Sequence, residues 1–343
     1  MTSYSGEGGL RADRPTISDV ARRAGVSAAT VSNALSGRRY VEERTRERVL
    51  SIAAELGYSP NLRARRLRTG RADTIAIFSS MPFAIAGGRA RMGFLMEIAA
   101  AAAAESLQNG MALILVPPLE KSRPPLAELP IDGALVVEPL ADDPEIEQLR
   151  SRGIPVVAIG REPGSPIPSV DLQSATCVRM LLDHLHDAGS RRIALITGAQ
   201  PRNAHLEAVE ASRVFGIERH LDIDVLRIDE FGGEAAAREA TRSLLTAHPE
   251  IDALCVTIDT FASGAAAAAH DLDRRVPDDL RIVTRYDGVR SRECRPPLTA
   301  LDLRLDEVAN LAVGLLLDHI RGDESRKLIV APMPRLVTRA SSV

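Results

Sequence analysis

Ala28, Ala29, Thr30 and Asn33 are small or hydrogen-bonding side chains that fall on one face of a predicted helix. A helix that enters a DNA major groove needs such a face. Low bulk lets the backbone approach, and amide or hydroxyl groups address base edges. The segment that must hold them is residues 16–37, TISDVARRAGVSAATVSNALSG. Its pattern predicts two short helices joined by a tight turn. Thr16 can N-cap the first helix, and Asp19 three residues on completes a capping-box pattern. Ile17, Val20 and Ala24 share its buried face. Gly25 breaks the helix at low steric cost. Ser27 caps the next helix, with Val31 and Leu35 on its inner face. An ordinary helical hairpin would share these caps, so the neighbouring segments decide between the two readings.

Glu43 to Leu56 predicts a third helix, with Val49, Ile52, Ala53 and Leu56 on one face and alternating Arg and Glu on the other. Gly57 ends it, and Ser59-Pro60 is a second start signal. Residues 61–71, NLRARRLRTGR, then carry five arginines and little apolar surface. So short a helix is marginal in water without a partner, so folding on DNA phosphates is expected. Leu67 is the odd residue there: an apolar wedge between base steps in the minor groove, or a packing contact with another copy or the next domain. Charge follows the same division. Residues 14–71 carry thirteen Arg against five acids, a net of +8, while residues 72–343 sum to −10 within a whole-chain charge of −3. A basic module on an acidic body confines polyanion binding to one end.

Residues 1–13 read as a disordered tail. From Thr74 onward, apolar runs alternate with helix-length stretches. The runs are 74–78, 111–116, 133–137 and 154–159, then 192–197, 224–228, 253–257 and 280–285. Helices are expected over about Arg91 to Asn109, Ala175 to Ala188 and Gly233 to Ala247. Short apolar strands between helices mean parallel sheets covered on both faces, and two such series mean two similar subdomains. The fold class is α/β: a small all-α helix-turn-helix domain, then a doubly wound body of two subdomains. Ligands in such sheets bind beyond the carboxyl ends of the strands.

Residues 16–71 resemble the headpiece and hinge of the LacI/GalR family of bacterial transcription regulators. The family pattern is matched by Thr16, Asp19, Val20, Ala21, Ala24, Gly25, Val26, Ser27, Thr30, Val31, Ser32, Leu35 and Gly37. It continues through Leu56, Gly57, Tyr58, Pro60, Asn61, Ala64, Arg65 and Leu67. The resemblance implies that Ala28, Ala29 and Asn33 choose the operator sequence. It extends DNA contact to Thr16, Ser27, Thr30, Ser32, Asn61, Ala64 and Arg65, and makes Leu67 the minor-groove wedge. Glu42 stands where the family often has Ser, which weakens one cap. The body is similar to the family's periplasmic-binding-protein-like effector domain, on anchors such as Gly153-Ile154-Pro155-Val156-Val157 and Pro296-Pro297-Leu298-Thr299. The implied parts are a headpiece (14–58), a hinge (59–72) and a body (73–343). Within the body, an N-subdomain spans about 73–173 and 303–331, and a C-subdomain about 174–302 and 332–343. Crossings are expected near Gln173, Leu303 and Ala331. The implied function is a cytoplasmic repressor that binds a near-palindromic operator as a homodimer and answers to a small-molecule effector in the cleft between subdomains.

The resemblance also nominates effector contacts. The family's Arg falls at His205, or at Arg202 if the loop shifts. Asp259 follows Ile258 in the usual Asn-Asp pair, and Arg285 and Asp287 sit in Thr284-Arg285-Tyr286-Asp287. Phe83 follows Pro82 at the cleft mouth, and Leu303 takes a position often polar. Asp259 could equally cap the next helix, and Asp287 could sit in a turn with Gly288. Sugars need dense polar contacts and an aromatic platform, and the chain has no Trp, which argues against a plain hexose. Enzyme motifs are missing: no phosphate loop, no G-x-S-x-G elbow, no H-E-x-x-H. His184 and His186 point to different sides of a helix, so no metal is expected, and no cofactor either. Three widely spaced cysteines suggest reduced thiols. No membrane span or signal peptide is expected.

Overall fold

The computed structural model describes residues 15–36, 40–58, 70–86, 93–118, 126–164 and 167–343. The predicted tail (1–13), most of the hinge (59–69) and its residues Asn61, Ala64, Arg65 and Leu67 lie outside them. The chain divides into two compact units, Met1–Arg71 and Ala72–Val343.

Among the described residues the first unit holds three helices: α1 (Ile17–Ala24), α2 (Ala28–Ser36) and α3 (Glu43–Glu55). Their sequences fix their ends. Asp19 reaches back to accept from the Thr16 backbone N–H at 2.9 Å and its hydroxyl at 2.7 Å. Gly25 closes α1 in the left-handed region, at φ 67, where a Cβ is disfavoured. Ser27 Oγ accepts the Thr30 N–H at 3.1 Å and caps α2. Glu42 occupies the N-cap of α3 without a capping side-chain bond. Val20, Val31, Ala34 and Val49 meet in a small core with at most 2% of any of them exposed. Ala34 takes the deep position on α2 that the pattern gave to Leu35, which is half-buried. Leu35 packs against the edge of the same core.

The second unit carries two six-stranded sheets. The first contains β1 (Thr74–Ser79), β2 (Ala112–Val116), β3 (Gly133–Val137), β4 (Val156–Ile159), β5 (Ser169–Asp171) and β11 (Leu328–Val330). The second contains β6 (Ile193–Gly198), β7 (Asp224–Ile228), β8 (Ala253–Val256), β9 (Arg281–Thr284), β10 (Thr299–Asp302) and β12 (Arg335–Val337). The orders are β11-β5-β4-β3-β1-β2 and β12-β10-β9-β8-β6-β7. All pairs are parallel except β10 with β12. The central strands β1, β3, β4, β6 and β8 are buried along their whole length. That is why they read as continuous apolar runs. The helices Ser174–Asp187 and Gly233–Ala247 cover the second sheet, and Phe94–Gln108 covers the first.

The chain passes between the lobes three times: after β5, after β10 and between β11 and β12. The first two passages share one device. Asp171-Leu172-Gln173 and Asp302-Leu303-Arg304 each fold so that the aspartate Oδ1 accepts the N–H two residues on, at 2.8 and 2.9 Å. Gln173 and Arg304 then sit in the left-handed region, at φ 53 and 52, and open a helix. Gln173 Nε2 also donates to Ala331 O at 2.7 Å, tying the first passage to the third. β5, β10, β11 and β12 escape the apolar-run reading because each is three or four residues long and flanks a passage.

Candidate DNA-reading face and interlobe cleft

On α2, Ala28 and Ala29 are exposed, and Thr30, Ser32 and Asn33 are half-buried beside them. Thr16, at the start of α1, is exposed. Packing of Val31 and Ala34 into the core turns this set outward, so the small and amide-bearing groups form one accessible surface. The charged groups nearby pair locally: Arg22 with Asp19 at 2.9 Å and Arg23 with Glu55 at 3.3 Å.

In the second unit, a narrow pocket with a cavity volume of about 60 Å³, partly open to solvent, lies between the two sheets. His205, Asp259 and Arg285 line it, and so does Arg202. Two nominated residues do not. Phe83 sits on the short helix Phe83–Ala86, whose Ile85 and Ala86 reach the pocket while Phe83 is 38% exposed. Asp287 is turned away. Its Oδ1 accepts from Arg339 at 2.8 Å and from Arg292 at 3.2 Å. Burial pushes this carboxyl up, and the two guanidiniums outweigh it, so its pKa lies below the ordinary value. Asp287 is thus engaged by two arginines outside the pocket lining.

Arg202 is 1% exposed and belongs to both lobes. Its Nε donates to Glu230 Oε2 at 3.2 Å on its own side. Its two terminal nitrogens cross over: one to Ser80 O at 2.9 Å, the other to Glu138 O. The backbone crosses beside it, with Ala141 N–H on Pro201 O at 3.0 Å. Arg285 follows the same logic. Its Nη2 donates to Glu138 Oε1 at 2.8 Å, and its guanidinium lies 5.9 Å from the centre of the Phe94 ring. Tyr286 meets Phe94 edge-on at 5.5 Å and donates its hydroxyl to Glu97. The lobes are thus joined by the protein's own guanidiniums, a phenol and a backbone bond.

Gly198 at the carboxyl end of β6 makes this arrangement possible. A Cβ there would stand 2.3 Å from His205 Cε1 and 2.5 Å from Glu230 Oε1. His205 Nδ1 donates to Gln200 O at 3.0 Å and lies 3.4 Å from Glu230 Oε1. Burial lowers its pKa more than Glu230 raises it, which keeps the ring neutral near pH 7. Asp259 opens the helix Asp259–Asp271 and accepts only the Thr260 N–H, at 2.8 Å. Burial raises its pKa. Leu303, from the second passage, supplies an apolar wall. The sequence reading missed Glu138, Glu230 and Phe94. The two glutamates had a usable signal, since Glu138 directly follows β3 and Glu230 lies two residues past β7, where polar residues face the ligand crevice.

Among the described residues, no group of His, Cys, Asp and Glu is arranged to hold a metal ion, and no helix is long and apolar enough to cross a membrane. Residues 16–61 match the family model for bacterial regulatory proteins of the lacI family, and residues 182–342 match the periplasmic binding protein-like domain. The ribose operon repressor of Halalkalibacterium halodurans is 32% identical, covering 89% of this chain and 90% of its own. The HTH-type transcriptional regulator CelR of Thermobifida fusca is 29% identical, covering 96% and 99%. The structure of the transcriptional regulator CelR–cellobiose complex superposes with a TM-score of 0.70, at 27% identity, over 96% of this chain and all of that one. These relatives are transcription regulators, not enzymes.

Proposed function

The chain belongs to the LacI family of bacterial regulatory proteins, and from that premise we propose which residues read DNA and how the body controls the reading. The protein is a transcription regulator with a helix-turn-helix DNA-binding domain and a body of the effector-binding type. In this reading it is a cytoplasmic repressor. Ala28, Ala29 and Asn33 face base edges in the major groove, while Thr16, Ser27, Thr30 and Ser32 meet phosphates. The hinge (59–72) follows the headpiece (14–58), with Asn61, Ala64 and Arg65 at the minor groove and Leu67 as the wedge. One headpiece offers a single short reading helix, so two copies on a near-palindromic operator supply enough contacts. An effector in the cleft of the body (73–343) shifts its closure, which changes the spacing of the paired hinges.

The observation that carries this reading is the outward face of α2, where Ala28 and Ala29 stand exposed beside Asn33 over a closed apolar core. Fluorescence anisotropy against DNA from upstream of the protein's own gene tests it, over a salt series and with a scrambled duplex as control. Tight binding to a palindrome, weak binding to the control and a steep salt slope are expected. Asn33→Ala should cost about 1–3 kcal/mol on the operator and little on the scrambled duplex. An equal loss on both would move Asn33 to the phosphates. Leu67→Ala should weaken operator binding with the body still folded. Unchanged affinity would remove the wedge.

The CelR complex holds cellobiose, which supports a small polar effector for a cleft of this kind. The cross-lobe contacts of Arg202 favour a second reading, a cleft closed without ligand. DNA affinity that no small molecule shifts would select that one.

A further inference from the structure

The cleft's charges do not balance. Glu138, Glu230 and Asp259 line it against Arg202 and Arg285 only. Both arginines are engaged: Arg202 with Glu230 and two backbone carbonyls, Arg285 with Glu138. What is left over is acceptor. Glu230 is 1% exposed, and its Oε1 has no hydrogen-bond partner. The nearest candidate, His205 Nδ1 at 3.4 Å, gives its proton to Gln200 O. Asp259 accepts from the adjacent N–H and has no ion-pair partner among the described residues. Its nearest arginine in charge terms, Arg290, is paired with Glu234 at 2.8 Å. On the donor side, Arg285 Nε is buried without a partner.

A buried carboxylate oxygen without a donor is costly, and a buried charge more so. A ligand that brings a positive charge and N–H donors removes both costs. An anionic ligand adds to them, because three carboxylates already face two arginines and Asp259 has no ion-pair partner among the described residues. A neutral polyol satisfies the hydrogen bonds and leaves the charge. Building on the effector reading above, we propose that the cleft takes a small cationic effector, a primary amine on a polar scaffold, with its ammonium against Glu230 Oε1 and Asp259 as the second acceptor. Phe94, Tyr286 and Leu303 then pack against the carbon skeleton, and phosphorylated or carboxylate effectors are rejected. Specificity resides in Glu230 and Asp259, since Glu138 is committed to Arg285.

The test is thermal unfolding of the full chain with matched pairs of probes: D-glucosamine against D-glucose, ethanolamine against ethylene glycol, putrescine against 1,4-butanediol. A ligand that binds only the folded state raises the midpoint in proportion to its occupancy. At least one amine should bind about tenfold or more tightly than its neutral partner, a difference typical of a hydrogen bond to a charged group. Glu230→Gln should abolish that preference. Should Glu230→Gln fail to fold, because Arg202 loses its partner, Asp259→Asn serves instead, with a smaller loss. Neutral probes that bind as well as the amines would overturn the cationic class and keep the cleft as an effector site. If no probe of either kind binds, the proposal falls with the responsive cleft, while the operator assay still reports DNA binding on its own.

Discussion

In the headpiece, Arg22 and Asp19 pair three residues apart with 78% and 38% of their side chains exposed. In the cleft, Arg202 pairs with Glu230 across 28 residues and Arg285 with Glu138 across 147, all less than a tenth exposed. The first kind of pair is worth about 0–1 kcal/mol and is screened by salt. The second adds little net stability against an apolar replacement, yet breaking one side of it leaves a buried charge behind. A headpiece built the first way keeps its arginines available for phosphate. A cleft built the second way commits its arginines to the protein and leaves carboxylates for a ligand. On the readings proposed above, similar residue types serve a polyanion-binding surface in the headpiece and a cation-seeking pocket in the body.

The sharpest way to break this contrast is Arg202→Ala. It strands Glu230 and removes the bonds to Ser80 O and Glu138 O. A loss of about 3–5 kcal/mol is expected in urea unfolding of the body. Arg202→Lys should recover only part of it, because one ammonium cannot reach three separated acceptors. A loss below about 1 kcal/mol would make Arg202 equivalent to a surface pair and remove the distinction. Next in size is Gly198→Ala, which crowds His205 and Glu230. An overpacking cost of about 1–3 kcal/mol is expected, with ligand binding lost before the fold. The headpiece counterpart, Gly25→Ala, meets no atom within 4 Å. Its cost is purely conformational, about 1–2 kcal/mol from φ 67, and amide exchange in α1 of the intact chain should report it without change in the body.

The same distinction explains what the sequence reveals. The caps of Thr16, Asp19, Gly25 and Ser27 act over two or three residues, so spacing alone identifies them. The long strands are legible because burial on both faces demands an unbroken apolar run. Asp287 and Arg285 could not be told apart that way. They lie two residues apart, yet one is consumed by Arg292 and Arg339 and the other lines the cleft beside Glu138. Their fates depend on partners up to 147 residues away, and local pattern carries no such information. Glu138 and Glu230 were within reach through strand ends. The room Gly198 leaves for His205 and Glu230 is fixed only by three-dimensional packing.

The smallest effect isolates the local, exposed kind of charge. Asp19 is held below the ordinary carboxylate pKa of 3.8, chiefly by hydrogen bonds from the Thr16 side chain and backbone, with Arg22 adding attraction. A carboxyl whose folded pKa is lowered stabilises the fold above its unfolded value and loses that contribution as pH falls through the folded one. The box should therefore hold α1 at full strength above about pH 5 and weaken below about pH 4. Amide exchange over Ile17–Ala24 in the intact chain, compared between the native protein and Asp19→Asn, reads this directly. Protection should differ between the two at neutral pH and converge in acid. A constant difference across that range would mean that Asp19 acts by shape rather than charge. The headpiece would then share the pH-insensitive character that the packing of Val20, Val31 and Val49 gives its core.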